Sequence, residues 1–142
     1  MEGRYKCEDH ILNLVDAFES ATIPRERWKH AEHLTVALYY LRSHDLDAAT
    51  AKMRAGVFHL VEVGFKVDLK AEMPYHETLT VFWMRTVANF AESRKGFSLT
   101  EIAIELIETF GKDYPLRFYS SDRLFSDKAR AGFVEGDLRL DD

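Results

Sequence analysis

The chain has 142 residues, 46% of them hydrophobic and 13% aromatic, with a formal net charge of −5 and one cysteine. That length suits one domain with a self-sufficient core, and the apolar content is too high for a disordered chain. The acidic balance argues against a nucleic-acid binder, which relies on clustered Lys and Arg, and the lone Cys7 excludes both an internal disulfide framework and a thiolate zinc cluster.

No stretch approaches the ~18 consecutive apolar residues of a membrane span, and the segment Met1 to Tyr5 lacks a hydrophobic signal region. The expectation is a cytoplasmic protein, neither membrane-embedded nor secreted, consistent with a reducing compartment.

Helical spacing of Cys7, Ile11, Leu14, Val15 and Phe18 predicts a first amphipathic helix from Tyr5 to Ser20, with Cys7 as a packing residue. Ile23-Pro24 interrupts it, because proline disfavours the α conformation in the residue before it. A second helix runs from Trp28 to Ser43, buried along Ala31, Leu34, Ala37, Leu38 and Leu41. His30 and His33 stand three apart beside that stripe, hence on one face. Asp45 and Asp47 suit the start of a third helix that carries Met53, Arg54, Val57, Leu60 and Phe65 and ends near Gly64.

Residues 66–73 alternate weakly and have no partner strand, so they read as an extended loop. Pro74 fits the first position of a fourth helix, with Glu77 in its first turn. The run from Leu79 to Ala91 is apolar nearly all round, which marks the buried centre of the domain. His76 heads its buried row, and Thr78, Thr80, Arg85, Thr86 and Asn89 each need a partner there. Ser98 and Glu101 form a capping box before a fifth helix that stops at Gly111, and Ser126 caps a last short one. Residues 136–142 read as irregular, and no repeat or linker divides the chain.

The chemistry-bearing residues concentrate at two helix starts, Trp28 to Leu34 and Tyr75 to Thr80. If those starts meet, His30, His33 and His76 offer three imidazole nitrogens to one metal ion, with Glu77 as a fourth ligand or as the base that deprotonates a bound water. Zinc, nickel, copper or iron would accept such a nitrogen-rich set. Arg54 would anchor an anionic group bidentately, or pair with a structural carboxylate such as Glu77. Against this stands the plain reading in which buried histidines satisfy backbone carbonyls. Glu32 points away from the histidine face, and His10, His44 and His59 receive no role. The chain lacks the Glu-x-x-His of di-iron bundles, the second histidine of His-Glu-x-x-His, a phosphate-binding glycine loop and a Gly-x-Ser-x-Gly elbow.

Trp28-x-His30-x-x-His33-Leu34, Tyr75-His76-Glu77-Thr78-x-Thr80 and Leu124-Phe125-Ser126-x-x-Ala129-Arg130 together resemble a family of small bacterial all-α proteins without a characterised member. The resemblance implies no activity; it implies that these motif residues are the ones to test. A looser analogy is with DinB-type bundles that hold a metal through three histidines in a different order and spacing.

The sequence therefore predicts a single all-α domain over residues 1–142, with five or six helices around a buried fourth. The leading functional expectation is a metal-binding protein, a hydrolase or transferase acting on a small molecule, with His30, His33 and His76 as ligands of a zinc, nickel or iron ion and Glu77 and Arg54 as catalytic residues. The alternative is a metal-free ligand-binding or interaction module with a His/Tyr/Trp-lined pocket. A third reading keeps His76 as a proton donor or acceptor without metal. Oligomeric state, substrate and reaction are not legible.

Overall fold

In the computed structural model, which describes residues 5–138, the helices after the second begin where a side chain caps the first turn. The first is α1 (Glu8–Glu19), followed by α2 (His30–Ser43) and α3 (Leu46–His59). The long α4 (Glu77–Glu92) and α5 (Leu99–Thr109) come next, then two short helices, α6 (Ser121–Leu124) and α7 (Asp127–Ala131). The Asp45 carboxylate accepts from the Ala48 N–H at 2.8 Å. Ser98 and Glu101 form the reciprocal box, at 3.1 Å and 2.9 Å. Ser120 and Ser126 cap α6 and α7 in the same way.

The fold is all-α, and among the described residues there is no strand and no helix long and apolar enough to cross a membrane. As its circumference predicts, α4 is central: it packs against α2, α3, α5 and α7. The main core gathers Phe18, Leu34, Leu38, Leu60, Met84 and Leu106, all nearly inaccessible to solvent. A second, smaller core of Tyr119, Leu124, Ala129 and Val134 closes over Leu79 and Phe82 of α4. The C-terminal segment is thus laid against the same helix that the bundle surrounds.

Four details depart from the sequence expectation. Helix α1 starts later, and Cys7 is its exposed N-terminal neighbour, so the thiol does not pack. α2 begins at His30, two residues after Trp28, with the Glu32 carboxylate accepting from the Lys29 N–H at 3.1 Å. Pro74 does not open α4: His76 stands extended at φ −135°, ψ 106° and caps the helix with its own ring, so Pro74 and Tyr75 lie in the preceding segment. Finally, the α-helical part of α3 ends at His59, and a π-helical turn over Leu60–Gly64 carries the chain onward.

That π turn places Val61 and Phe65 on the wall of a cavity. π turns are rare and are frequent at functional sites. Gly64 is required by its closeness to the chain after α1, since a Cβ there would lie 2.7 Å from the Ala21 carbonyl oxygen. Residues 66–73 form a loop as predicted, with Lys66 in the left-handed region at φ 58°. Residues 136–138 have no regular structure, and the rest of the predicted irregular tail, 139–142, lies outside the described residues.

Candidate functional site

The two helix starts meet. Trp28 precedes α2, His30 and His33 occupy its first turn, and His76 caps α4; all four line one cavity of about 450 Å³ between α2, α3 and α4. Most of the wall is apolar, from Met53, Val57, Val61 and Phe65 on the α3 side to Leu79 and Met84 on α4. Tyr75, Thr80 and the three imidazoles are the polar groups within it, and Arg25 and Lys112 reach it from the surface. A mainly apolar concavity of this size with a few convergent polar groups is the usual form of a small-molecule site.

Two of the imidazoles are held by indoles. Trp28 stacks on Phe18 with ring centroids 4.8 Å apart and an interplanar angle of 16°, and meets His33 at 4.3 Å. His30 lies 4.7 Å from Trp83. These contacts fix ring orientation by packing, which leaves hydrogen bonding to decide which nitrogen carries a proton.

Two of the three histidines have a backbone partner. His30 Nε2 is 2.9 Å from the Phe110 carbonyl oxygen. A carbonyl only accepts, so this nitrogen carries a proton and donates it. His76 uses both nitrogens: Nε2–H donates to the Leu124 carbonyl at 2.7 Å, and Nδ1 accepts the Leu79 N–H at 3.2 Å. Burial holds His33 down to about pKa 4, against the Lys29 backbone, which acts the other way. His33 is therefore neutral at physiological pH, so one of its ring nitrogens keeps a lone pair. Burial also lowers His76, and the Arg130 charge acts in the same direction.

Glu77 and Arg54 are together, but not with the histidines. Arg54 grips the Glu77 carboxylate with two N–H donors, Nε at 2.9 Å and Nη2 at 2.7 Å, and the Tyr75 hydroxyl donates to the same carboxylate at 2.5 Å. The Arg54 hydrogen bonds pull the Glu77 carboxyl below its ordinary range, while burial and the Glu77 bond push the Tyr75 hydroxyl up to about 12. Glu77 and Arg54 line a neighbouring cavity, on the other side of Tyr75, which contributes to both.

The candidate ligands are engaged within the fold: both nitrogens of His76 are hydrogen-bonded, and the Glu77 carboxylate is held by Arg54 and Tyr75. A metal ligand must present a lone pair, so ligation by His76 would require one of its two bonds to be released. Among the described residues no three His, Cys, Asp or Glu side chains are grouped to hold an ion.

Sequence reasoning brought the three histidines to one place and paired Arg54 with Glu77. It did not separate the two groups, because two side chains adjacent in sequence, His76 and Glu77, leave the start of α4 in different directions. Nor did it find the Phe110 and Leu124 carbonyls that fix the imidazoles, since a backbone acceptor has no residue signature. Two further motif groups are bonded within the fold: Thr78 Oγ1 donates to the Gly132 carbonyl at 3.0 Å and accepts the Val134 N–H at 3.1 Å, and the Thr80 hydroxyl donates to the His76 carbonyl at 3.0 Å.

Comparison with protein-family models, curated proteins and solved structures finds no match to this chain.

Proposed function

We propose that the chain binds a small, largely apolar planar molecule in the cavity between α2, α3 and α4, and that it does so through His30 and His33 without a metal ion. The observation that carries this is the state of the rings. Neutral His33 keeps an acceptor lone pair, and His30 gives its Nε2–H to Phe110, so that Nδ1 is the nitrogen left to meet a ligand. A wall that offers acceptors selects a ligand that brings N–H or O–H donors, since a buried acceptor left unpaired costs about 1–3 kcal/mol. The indoles of Trp28 and Trp83 and the Met53 and Met84 side chains favour a flat or polarisable body.

The second reading is the metal-bound one, with a zinc, nickel or iron ion on His30, His33 and His76 serving a hydrolase or transferase. Its support is that the three side chains line one cavity. It requires His76 to release either Leu124 or the cap of α4, and Glu77 to leave Arg54 before acting as a base. In the binding reading Arg54 and Glu77 remain a structural pair.

The two readings separate in one set of measurements on untagged protein. Indole, indazole and phenol are titrated beside their N- or O-methylated forms, following the ring resonances of His30 and His33, and the same sample undergoes elemental analysis beside a His30→Ala, His33→Ala, His76→Ala variant. Saturable binding that weakens about tenfold on methylation is expected, the size of one lost buried hydrogen bond. Ligand-insensitive rings together with near-stoichiometric metal that disappears in the folded variant would overturn the proposal in favour of the metal.

A further inference from the structure

The second cavity, of about 640 Å³, has a charge that the fold does not use. It opens between α3, the start of α4 and α7, walled on one side by Phe58 and Tyr75, whose rings lie 4.6 Å apart at 32°. Two guanidiniums reach it, Arg54 and Arg130. Arg54 is satisfied by Glu77 through Nε and Nη2. Arg130, half-buried near the end of α7, has no hydrogen bond or ion pair from its guanidinium to any described residue. Partly burying a cation without an acid partner is unfavourable unless something arrives to pair with it.

Two acids face the same space. Glu77 is neutralised by Arg54 and by the Tyr75 hydroxyl. Asp127, one helical turn before Arg130, is exposed and forms no ion pair with it. The free positive group therefore sits beside an aromatic wall and close to a paired guanidinium whose Nη1 is not used on Glu77.

We propose that this cavity binds the oxyanion of a small aromatic molecule, with Arg130 as its principal partner, the outer N–H groups of Arg54 as a second contact and the Phe58–Tyr75 face beneath the ring. A guanidinium fork matches the planar oxygens of carboxylate and of phosphate alike, so the shared chemistry is an oxyanion. Asp127 opposes the charge and sets a limit on affinity. The site is separate from the histidine cavity and holds whether or not that cavity binds a neutral ligand.

The test uses the full chain, isotope-labelled, titrated at fixed ionic strength with phenyl phosphate, benzoate and inorganic phosphate, and with benzyl alcohol as the uncharged counterpart. The expected result is saturable shifts at Ala131, Gly132 and the Arg54 side chain, stronger for the aromatic anions than for inorganic phosphate and absent for benzyl alcohol; the tighter of phenyl phosphate and benzoate identifies the oxyanion. Arg130→Gln should weaken binding about tenfold, as loss of a charge-assisted pair does. Asp127→Asn, at an exposed position, should tighten it several-fold, and it decides the question alone if Arg130→Gln does not fold. Equal affinity in Arg130→Gln, no gain in Asp127→Asn, equally tight benzyl alcohol, or shifts centred on His30, His33 and Trp83 would each overturn the proposal.

Discussion

The imidazole of His76 joins the start of α4 to the C-terminal segment through the carbonyl of Leu124, at 2.7 Å, while its other nitrogen caps the helix. Replacing it removes two things at once. An N-cap is worth about 1 kcal/mol, and a buried carbonyl left without a donor costs about 1–3 kcal/mol. His76→Ala should therefore lower stability in urea unfolding by roughly 2–4 kcal/mol. His76→Asn, a good capping residue, should recover about 1 kcal/mol of that. Equal losses in the two variants would show that the cap contributes nothing.

The Arg54–Glu77 pair is bidentate and only partly exposed, with side-chain accessibilities of 39% and 18%. It should behave as a buried pair discounted for solvent. Arg54→Ala leaves Glu77 with Tyr75 alone and should cost about 1–2 kcal/mol at pH 7, measured by thermal or urea unfolding. Because the pair holds the Glu77 carboxyl below its ordinary value of 4.5, its contribution is fully present above that value and declines as pH falls through the folded-state pKa. Glu77→Gln should lack that acid-side component.

His33 gives the acid response a second, higher window. Its folded pKa is about 4 against an ordinary value of 6.5, so the unfolded chain binds the extra proton first. Stability should be unaffected by this group above pH 6.5, fall as pH drops from 6.5 to about 4, and level off below. Because the ring still meets the cavity, about 3 kcal/mol is the ceiling for that loss. A two-dimensional titration should find the His33 ring shifting near pH 4, and His33→Gln should flatten the slope of stability between the two pKa values. A ring that titrates near 6.5 would show that burial does not hold it below its ordinary value.

Gly64 carries the prediction most specific to the π turn. An added methyl would meet the Ala21 carbonyl oxygen at 2.7 Å and Leu60 Cδ1 at 3.1 Å, and the first of these is backbone. Gly64→Ala should destabilise by about 1–3 kcal/mol through overpacking, and it should broaden the amide signals of Val61 and Phe65 on the cavity wall. Gly111→Ala, with open space around its Cβ position, is the matching control and should be near neutral.

The periodic parts of the chain were readable because burial repeats at helical spacing. The apolar circumference of α4 made it the centre, and Ser98, Glu101, Ser126 and Asp45 marked helix starts that the structure has at those residues. What escaped depended on contacts between elements. The start of α4 is delayed past Pro74 because a side chain, not proline, caps it. The π turn answers to the closeness of Ala21, more than 40 residues away in sequence. At the site, the residue types that could carry chemistry were visible, but whether an imidazole offers a lone pair depends on which carbonyl lies beside it. That information belongs to Phe110 and Leu124, positions whose side chains have no part in it.

The way residues 119–134 lie against α4 also bears on where the chain can be cut. Their small core covers Leu79 and Phe82, and their backbone satisfies His76 and Thr78. A fragment ending after α5 would keep every long helix of the bundle and still present two bared apolar side chains and two buried polar ones to water. It would be an unfinished domain, not a smaller one, prone to self-association through the very helix that organises the intact fold.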